Sequence, residues 1–243
     1  MKWTRRGIWA GIALVALLAL AFTLYATLRN RPQDLPWTKL DLAEPIGLFT
    51  GRKMAGLGRD FTQCRALLDR AGVRYEVLPE LVDGAHCGYA DGVRFARGGP
   101  RRIDFLPADL KIACPAAAAL SVWEWEVVQP AAIRHFGKRV SAIEHLGSYS
   151  CRHIVGNGGE GWSQHSTADA VDISAFRLAD ATRITVKRDW NGDPARAAFL
   201  REVRDGACRL FSITLSPDYN EAHKDHLHLD EAPFGEFGWR GCR

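Results

Sequence analysis

The sequence predicts an α+β domain with a small, mainly antiparallel sheet and flanking helices, preceded by one transmembrane helix. Three observations predict it. A long apolar run stands near the amino terminus, short stretches downstream alternate apolar and polar residues, and helical stripes fall between them without the regular βαβ rhythm of a parallel sheet. The chain has 243 residues, 47% of them hydrophobic and 25% charged, with 8 Trp. That length suits one ordinary core plus an appendage, and the composition excludes a disordered chain.

Residues 8–28 contain no charged side chain. A helix of this length, rising about 1.5 Å per residue, spans roughly the 30 Å hydrocarbon layer of a bilayer. Lys2, Arg5 and Arg6 precede it, so residues 1–7 are expected in the cytoplasm and everything after the run outside. The alternative is a cleaved signal peptide, but the run exceeds the usual h-region and ends in Ala26-Thr27-Leu28 rather than a small-x-small site. Either reading exports the rest of the chain.

Residues 29–52 carry Pro32, Pro36 and Pro45 among mixed positions and read as a linker leaving the membrane. The domain is expected over residues 53–243. Phe61, Cys64, Leu67 and Leu68 form the stripe of an amphipathic helix that Gly72 ends. Extended pieces are expected at 75–78, 88–95 and 102–105, giving a β-rich lead-in. Residues 115–135 make the longest helical pattern, with Pro115 in the first turn and Pro130 breaking or kinking it. Beyond it come strands at 140–146, 170–176, 183–186 and 226–230, and a helix at 194–211. The stretch Asp189-Trp190-Asn191-Gly192-Asp193 reads as a surface loop.

Six cysteines all lie beyond the apolar run. An even number in an exported part reads as disulfides, and the absence of CxxC disfavours a cysteine zinc ribbon; fifteen pairings stay open. The net charge of +4 is modest, and no basic cluster interleaved with aromatics suggests a nucleic-acid partner. Nothing in the sequence sets an oligomeric state.

The chemistry concentrates in two places. In His223-Lys224-Asp225-His226-Leu227-His228, a strand from His226 would aim His226 and His228 to one face and Leu227 and Leu229 into the core. Asp172 lies within the apolar strand Ala170-Val171-Asp172-Ile173, seven residues after His165. A carboxylate there needs a hydrogen bond, an ion pair or a metal. His165, Asp172 and His228 supply the three ligands of a catalytic zinc site, whose fourth position takes water. Histidines 86, 135, 145 and 153 have no partner motif and read as surface or satisfied core.

Ser163-Gln164-His165-Ser166-Thr167-Ala168-Asp169-Ala170-Val171-Asp172 resembles the SxHxxGxAxD motif of D-alanyl-D-alanine metallopeptidases, and His226-Leu227-His228 resembles their HxH. The two together resemble the signature of the lysostaphin, D-alanyl-D-alanine metallopeptidase and hedgehog group. From about Cys64 to Gly235 the chain also resembles the bacterial extensin-like C-terminal family. The resemblance implies His165, Asp172 and His228 as zinc ligands and His226 as a catalytic residue.

It further implies hydrolysis of an amide bond in peptidoglycan peptides, in the periplasm of a cell whose inner membrane holds the helix. Two positions depart from the pattern. Ala168 stands where a Gly is usual, and His223 stands where many members have a Glu base, an arrangement similar to that of penicillin-insensitive murein endopeptidases. His223 and His226 rank above Glu221 and Asp225 as proton carriers, because an alternating strand would aim Asp225 away from His226. The segment Gly147-Ser148-Tyr149-Ser150-Cys151-Arg152 resembles the arginine-bearing stretch before the first ligand, which implies Arg152 as a candidate stabiliser of an oxyanion or a substrate carboxylate; the alternative reading is a surface ion-pair partner.

Two other function classes compete. One is a non-catalytic, zinc-containing wall-binding module, since hedgehog-like members keep the ligand set without hydrolysis. The other is a glycan hydrolase using Glu124 and Glu126, disfavoured because both fall on a helix whose solvated face they are expected to form.

Overall fold

The computed structural model describes residues 2–96, 98, 104–154, 161–232 and 240–243. Helix α1, Lys2–Arg29, contains the apolar run and is followed after Arg31 by a short 3-10 turn, Pro32–Asp34. Its stretch Arg6–Arg29 is long and apolar enough to cross a membrane, and none of it is buried against the rest of the chain. Helices α2, Thr50–Ala55, and α3, Phe61–Arg70, come next. Asp60 caps α3 by accepting from Gln63 N, and Gly72 ends it with φ 74°.

The stretch 29–52, expected as a linker, is instead tied into the domain. Leu40, Leu42 and Ile46 join the hydrophobic core, because their side chains alternate with solvated Lys39, Asp41 and Ala43 and find apolar cover. Backbone bonds such as Phe49 N to Gln33 O, 3.0 Å, close the segment on itself.

The lead-in holds β1 (Tyr75–Val77), β2 (Leu81–Val82), β3 (Gly88–Tyr89) and β4 (Gly92–Phe95), then β5 (Asp104–Leu106) and β6 (Lys111–Ala113). Arg102 and Ile103 of the extended piece expected at 102–105 lie outside the described residues. Helix α4, Cys114–Trp123, runs through a π turn, Glu124–Val128, into α5, Gln129–Phe136. Pro130 has no N–H to continue the α ladder, and the chain widens where Gln129 N bonds Glu124 O. Glu124 is therefore not on a solvated face: it is 3% exposed and accepts from Gln129 Nε2 at 2.8 Å, while Glu126 is exposed.

Strands β7 (Val140–Gly147), β8 (Ala170–Leu178) and β9 (Arg183–Thr185) lead to α6 (Val186–Asp189) and α7 (Pro194–Ala207), capped by Asp193. The chain ends through β10 (Ile213–Leu215), β11 (Leu227–Asp230) and β12 (Gly241–Cys242). The expected loop at 189–193 starts inside the core: Asp189 and Trp190 are buried, and Trp190 Nε1 donates to Asp218 Oδ1 at 2.8 Å. Only Asn191, Gly192 and Asp193 behave as surface.

Among the described residues the main sheet has seven strands, ordered β12-β10-β11-β8-β7-β5, with β9 pairing the far half of β8. The sheet is thus larger than expected, since β10 and β12 are too short to leave an alternation signal. Pairing is antiparallel except for β5 with β7 and β10 with β12. The helical layer α4, α5 and α7 covers one face: Trp123 and Phe176 meet at 5.9 Å, Phe176 and Phe199 at 5.1 Å, and Trp123 Nε1 donates to Val203 O. Disulfides Cys64–Cys114, Cys87–Cys151 and Cys208–Cys242 use all six cysteines.

Candidate metal centre

Strand register brings the two distant motifs together. In the antiparallel β8–β11 pair, His228 lies directly across from Asp172, so both side chains rise from the same face while Val171, Ile173, Leu227 and Leu229 enter the core. His165 comes from a 3-10 turn, Gln164–Thr167, immediately before β8. That turn ends at Ala168 in the left-handed region, φ 59° and ψ 16°, which redirects the chain into the strand. A left-handed residue is the place where Gly costs nothing, which accounts for the Gly of the motif that Ala168 departs from.

Three side chains converge: His165 Nε2 is 3.2 Å from His228 Nδ1 and 3.2 Å from Asp172 Oδ2, and His228 Nδ1 is 2.9 Å from the other carboxylate oxygen, Asp172 Oδ1. Ligand atoms about 2.0–2.1 Å from one tetrahedral ion stand about 3.3 Å apart. The three closest contacts come near that spacing, and one ligand atom from each residue lies within 4.8 Å of the other two. On its other side, His165 Nδ1 donates to Ser148 O at 2.6 Å. This places the proton of a neutral ring on Nδ1 and leaves a lone pair at Nε2, facing a carboxylate and a second imidazole. Converging lone pairs repel unless a cation or proton lies between them. The group could hold a metal ion, and its two imidazoles and one carboxylate suit the ligand chemistry of zinc.

Electrostatics follow from burial. Burial would raise the Asp172 carboxyl, but when His165 and His228 carry their second protons the hydrogen bonds they donate and their charges outweigh it and hold the group well below the usual carboxylate range. Burial lowers His228. Burial, followed by the nearby charges of His228 and His226, brings His223 down to about 4.

Of the other residues singled out in the sequence, His226 stands at the triangle, its Nε2 3.5 Å from Asp172 Oδ1. It precedes β11 rather than starting it, and this overturns the expectation for Asp225. Outside the strand alternation fails, and Asp225 Oδ1 accepts from His226 Nδ1 at 2.9 Å. His223 Nδ1 donates to Asn220 Oδ1 at 2.7 Å, with its ring 5.3 Å from that of His226 and 5.8 Å from that of His228. Glu221 turns to solvent and pairs with Lys224. Arg152 is more loosely placed, with Nη2 4.0 Å from Asp172 Oδ2 and nearly half its side chain exposed.

The chain matches the family described as Extensin-like protein C-terminus over residues 62–243. It belongs to the extensin-like C-terminal family. No curated protein and no solved structure matches it. The matched region of this extensin-like chain includes the candidate metal-binding group and all six cysteines.

Three contributors to the site escaped sequence reasoning. Ser148 acts through its backbone carbonyl, which no residue pattern reveals. Asp225 was visible but assigned to the wrong face by a strand start one residue early. Trp162, stacked between His86 at 5.1 Å and His153 at 4.1 Å, builds an aromatic rim beside Arg152, and the Cys87–Cys151 disulfide fastens that rim to the lead-in. His86 and His153 are surface residues, as expected, but their role in this stack depends on chain positions far apart.

Proposed function

We propose that the chain is a zinc-dependent hydrolase that cleaves an amide bond in peptidoglycan stem peptides or their cross-links, outside the membrane that α1 enters. The observation that carries the proposal is the convergence of His165, Asp172 and His228, with His226 beside them and backed by its own carboxylate. His165, Asp172 and His228 would hold the ion. Zinc, when bound in such a set, lowers the pKa of a coordinated water to about 7 and polarises a carbonyl.

The remaining chemistry belongs to the protein. The Asp225 carboxylate holds the His226 Nδ1 proton, so Nε2 faces the ligands and is the atom that takes a proton from an attacking water and returns one to the leaving amine. Asp225 also stabilises the imidazolium formed in between. Asn220 orients His223 in the same way, leaving its Nε2 to accept a substrate N–H or a proton. Arg152 is the one guanidinium beside the triangle among the described residues, and it suits a developing oxyanion or a substrate carboxylate. The substrate class is supported by the resemblance of the two motifs to D-alanyl-D-alanine metallopeptidases.

The test is digestion of purified muropeptides by the detergent-solubilised full chain, before and after chelation and zinc return. New amine termini should appear, vanish on chelation, return with zinc and be absent with His226→Ala. Bound zinc without cleavage in any arm would overturn hydrolysis and leave a wall-binding zinc module.

A further inference from the structure

We infer that residues 32–50, together with an arginine-lined groove behind them, form a surface that seats on anionic headgroups of the bilayer that α1 enters. This rests on reading α1 as a membrane anchor, and adds that the folded domain itself touches the lipid.

The segment is close to the membrane by construction. From Arg29, the last residue of α1, to Pro32 is three residues, about 10 Å at full extension, against a headgroup layer of about 5–7 Å per leaflet. Two large apolar side chains are exposed there, Trp37 at 75% and Leu48 at 82%. Both are held to the turn that Pro32 begins. Leu48 N donates to Asp34 Oδ1 at 2.8 Å, and the neighbour of Trp37, Thr38, donates through Oγ1 to Pro32 O and accepts from Lys53 Nζ at 2.8 Å. On the opposite side Leu40, Leu42 and Ile46 are buried in the core, so the segment cannot swing away from the domain. A Trp and a Leu fixed in water beside a bilayer gain by entering its interface, where Trp is enriched.

Charge agrees with this placement. A groove of about 370 Å³ beside Leu48 is lined by Arg31, Asp34, Arg209 and Arg240. The carboxylate is already engaged with Arg31 Nε at 2.9 Å, and Arg209 and Arg240 are braced by backbone carbonyls, Arg209 on Ile46 O and Arg240 on Phe211 O, both at 2.7 Å. Guanidinium groups held this way present remaining N–H donors in the fork geometry that matches a phosphate. An anionic wall polymer would satisfy the arginines but would leave Trp37 and Leu48 in water. The lipid surface satisfies both.

The test uses the full chain in lipid nanodiscs, comparing tryptophan emission with and without brominated acyl chains for the wild type and for Trp37→Phe. Subtraction isolates Trp37 from Trp3 and Trp9, which α1 carries in both proteins. The Trp37 component should lose most of its emission to the brominated chains, more strongly with phosphatidylglycerol than with phosphatidylcholine. No quenchable difference between the two proteins overturns the proposal, and equal quenching in both lipids overturns the headgroup role of the arginines. Alkaline carbonate extraction separates the two readings: release of the chain sinks the anchor and the surface together, whereas a retained chain with unquenched Trp37 sinks the surface alone.

Discussion

Asp172→Asn is the sharpest perturbation of the proposed metal centre, because it removes the one anionic candidate ligand while keeping its shape. In the wild type the ligand atoms already stand 2.9 to 3.2 Å apart, close to the separation a bound ion imposes, so little reorganisation opposes binding. An ion at a hundred times its Kd stabilises the folded state by about 2.7 kcal/mol. For a folded unit of this size that raises Tm by roughly 5–11 °C. Outer-shell partners of metals are worth up to about a hundredfold in affinity, and a direct ligand is worth at least that. At the same zinc concentration Asp172→Asn then retains about 0.4 kcal/mol, a shift of roughly 1–2 °C. The assay is calorimetric melting of each protein with zinc and with chelator, so that each protein's own metal-free stability cancels. Asp225→Asn, which alters the partner of His226 and no ligand, should keep the full shift. Equal shifts in wild type and Asp172→Asn would refute the reasoning, as would a wild type indifferent to zinc.

Three further outcomes rest on particular contacts. Ala181 has φ 67° in an exposed turn, so Ala181→Gly should raise stability by about 1 kcal/mol in urea titration, the left-handed penalty of a Cβ; at Ala168, also left-handed but fully buried, loss of a packed methyl worth about 0.8 kcal/mol cancels most of that gain, and a measured gain at Ala168 equal to that at Ala181 would refute this accounting. Gly206 of α7 packs on the π turn so closely that an added Cβ would lie 2.2 Å from Val127 Cγ1, and Gly206→Ala should cost about 1–3 kcal/mol by overpacking; an unchanged urea midpoint would show that the two helices separate freely. Glu231 is 1% exposed, and burial raises its pKa well above 4.5 despite the opposing charge of Arg240 and a backbone hydrogen bond from Ser212. The folded state keeps this proton after the unfolded state has lost it, so stability should fall as pH rises above about 4.5 until the folded group ionises. Glu231→Gln should remove that slope, and stability–pH curves of equal steepness for the two proteins would contradict it.

Local patterns in the sequence determined a good deal. The apolar helix, the stripe of α3 and the prolines that open α4 and widen its continuation are consequences of neighbours within a few residues, which a linear reading can weigh. The candidate ligands were legible for the same reason: a carboxylate inside Ala170-Val171-Asp172-Ile173 is costly unless something pairs with it, and HxH puts two rings close together wherever it folds. What the linear reading could not supply was anything set by pairing across long separations. The register that puts His228 opposite Asp172, the carbonyl of Ser148 under His165, and the choice among fifteen disulfide pairings all depend on which segments meet. Asp225 shows how small the margin is, because a strand beginning at Leu227 instead of His226 turns a carboxylate assigned to the far side into the hydrogen-bond partner of the His226 imidazole. Residues 29–52 looked like a tether because proline and mixed polarity are local signs of a loop. Only the tertiary structure could show that the domain offers their leucines and isoleucine an apolar face to cover, since burial is a property of the partner surface as much as of the segment.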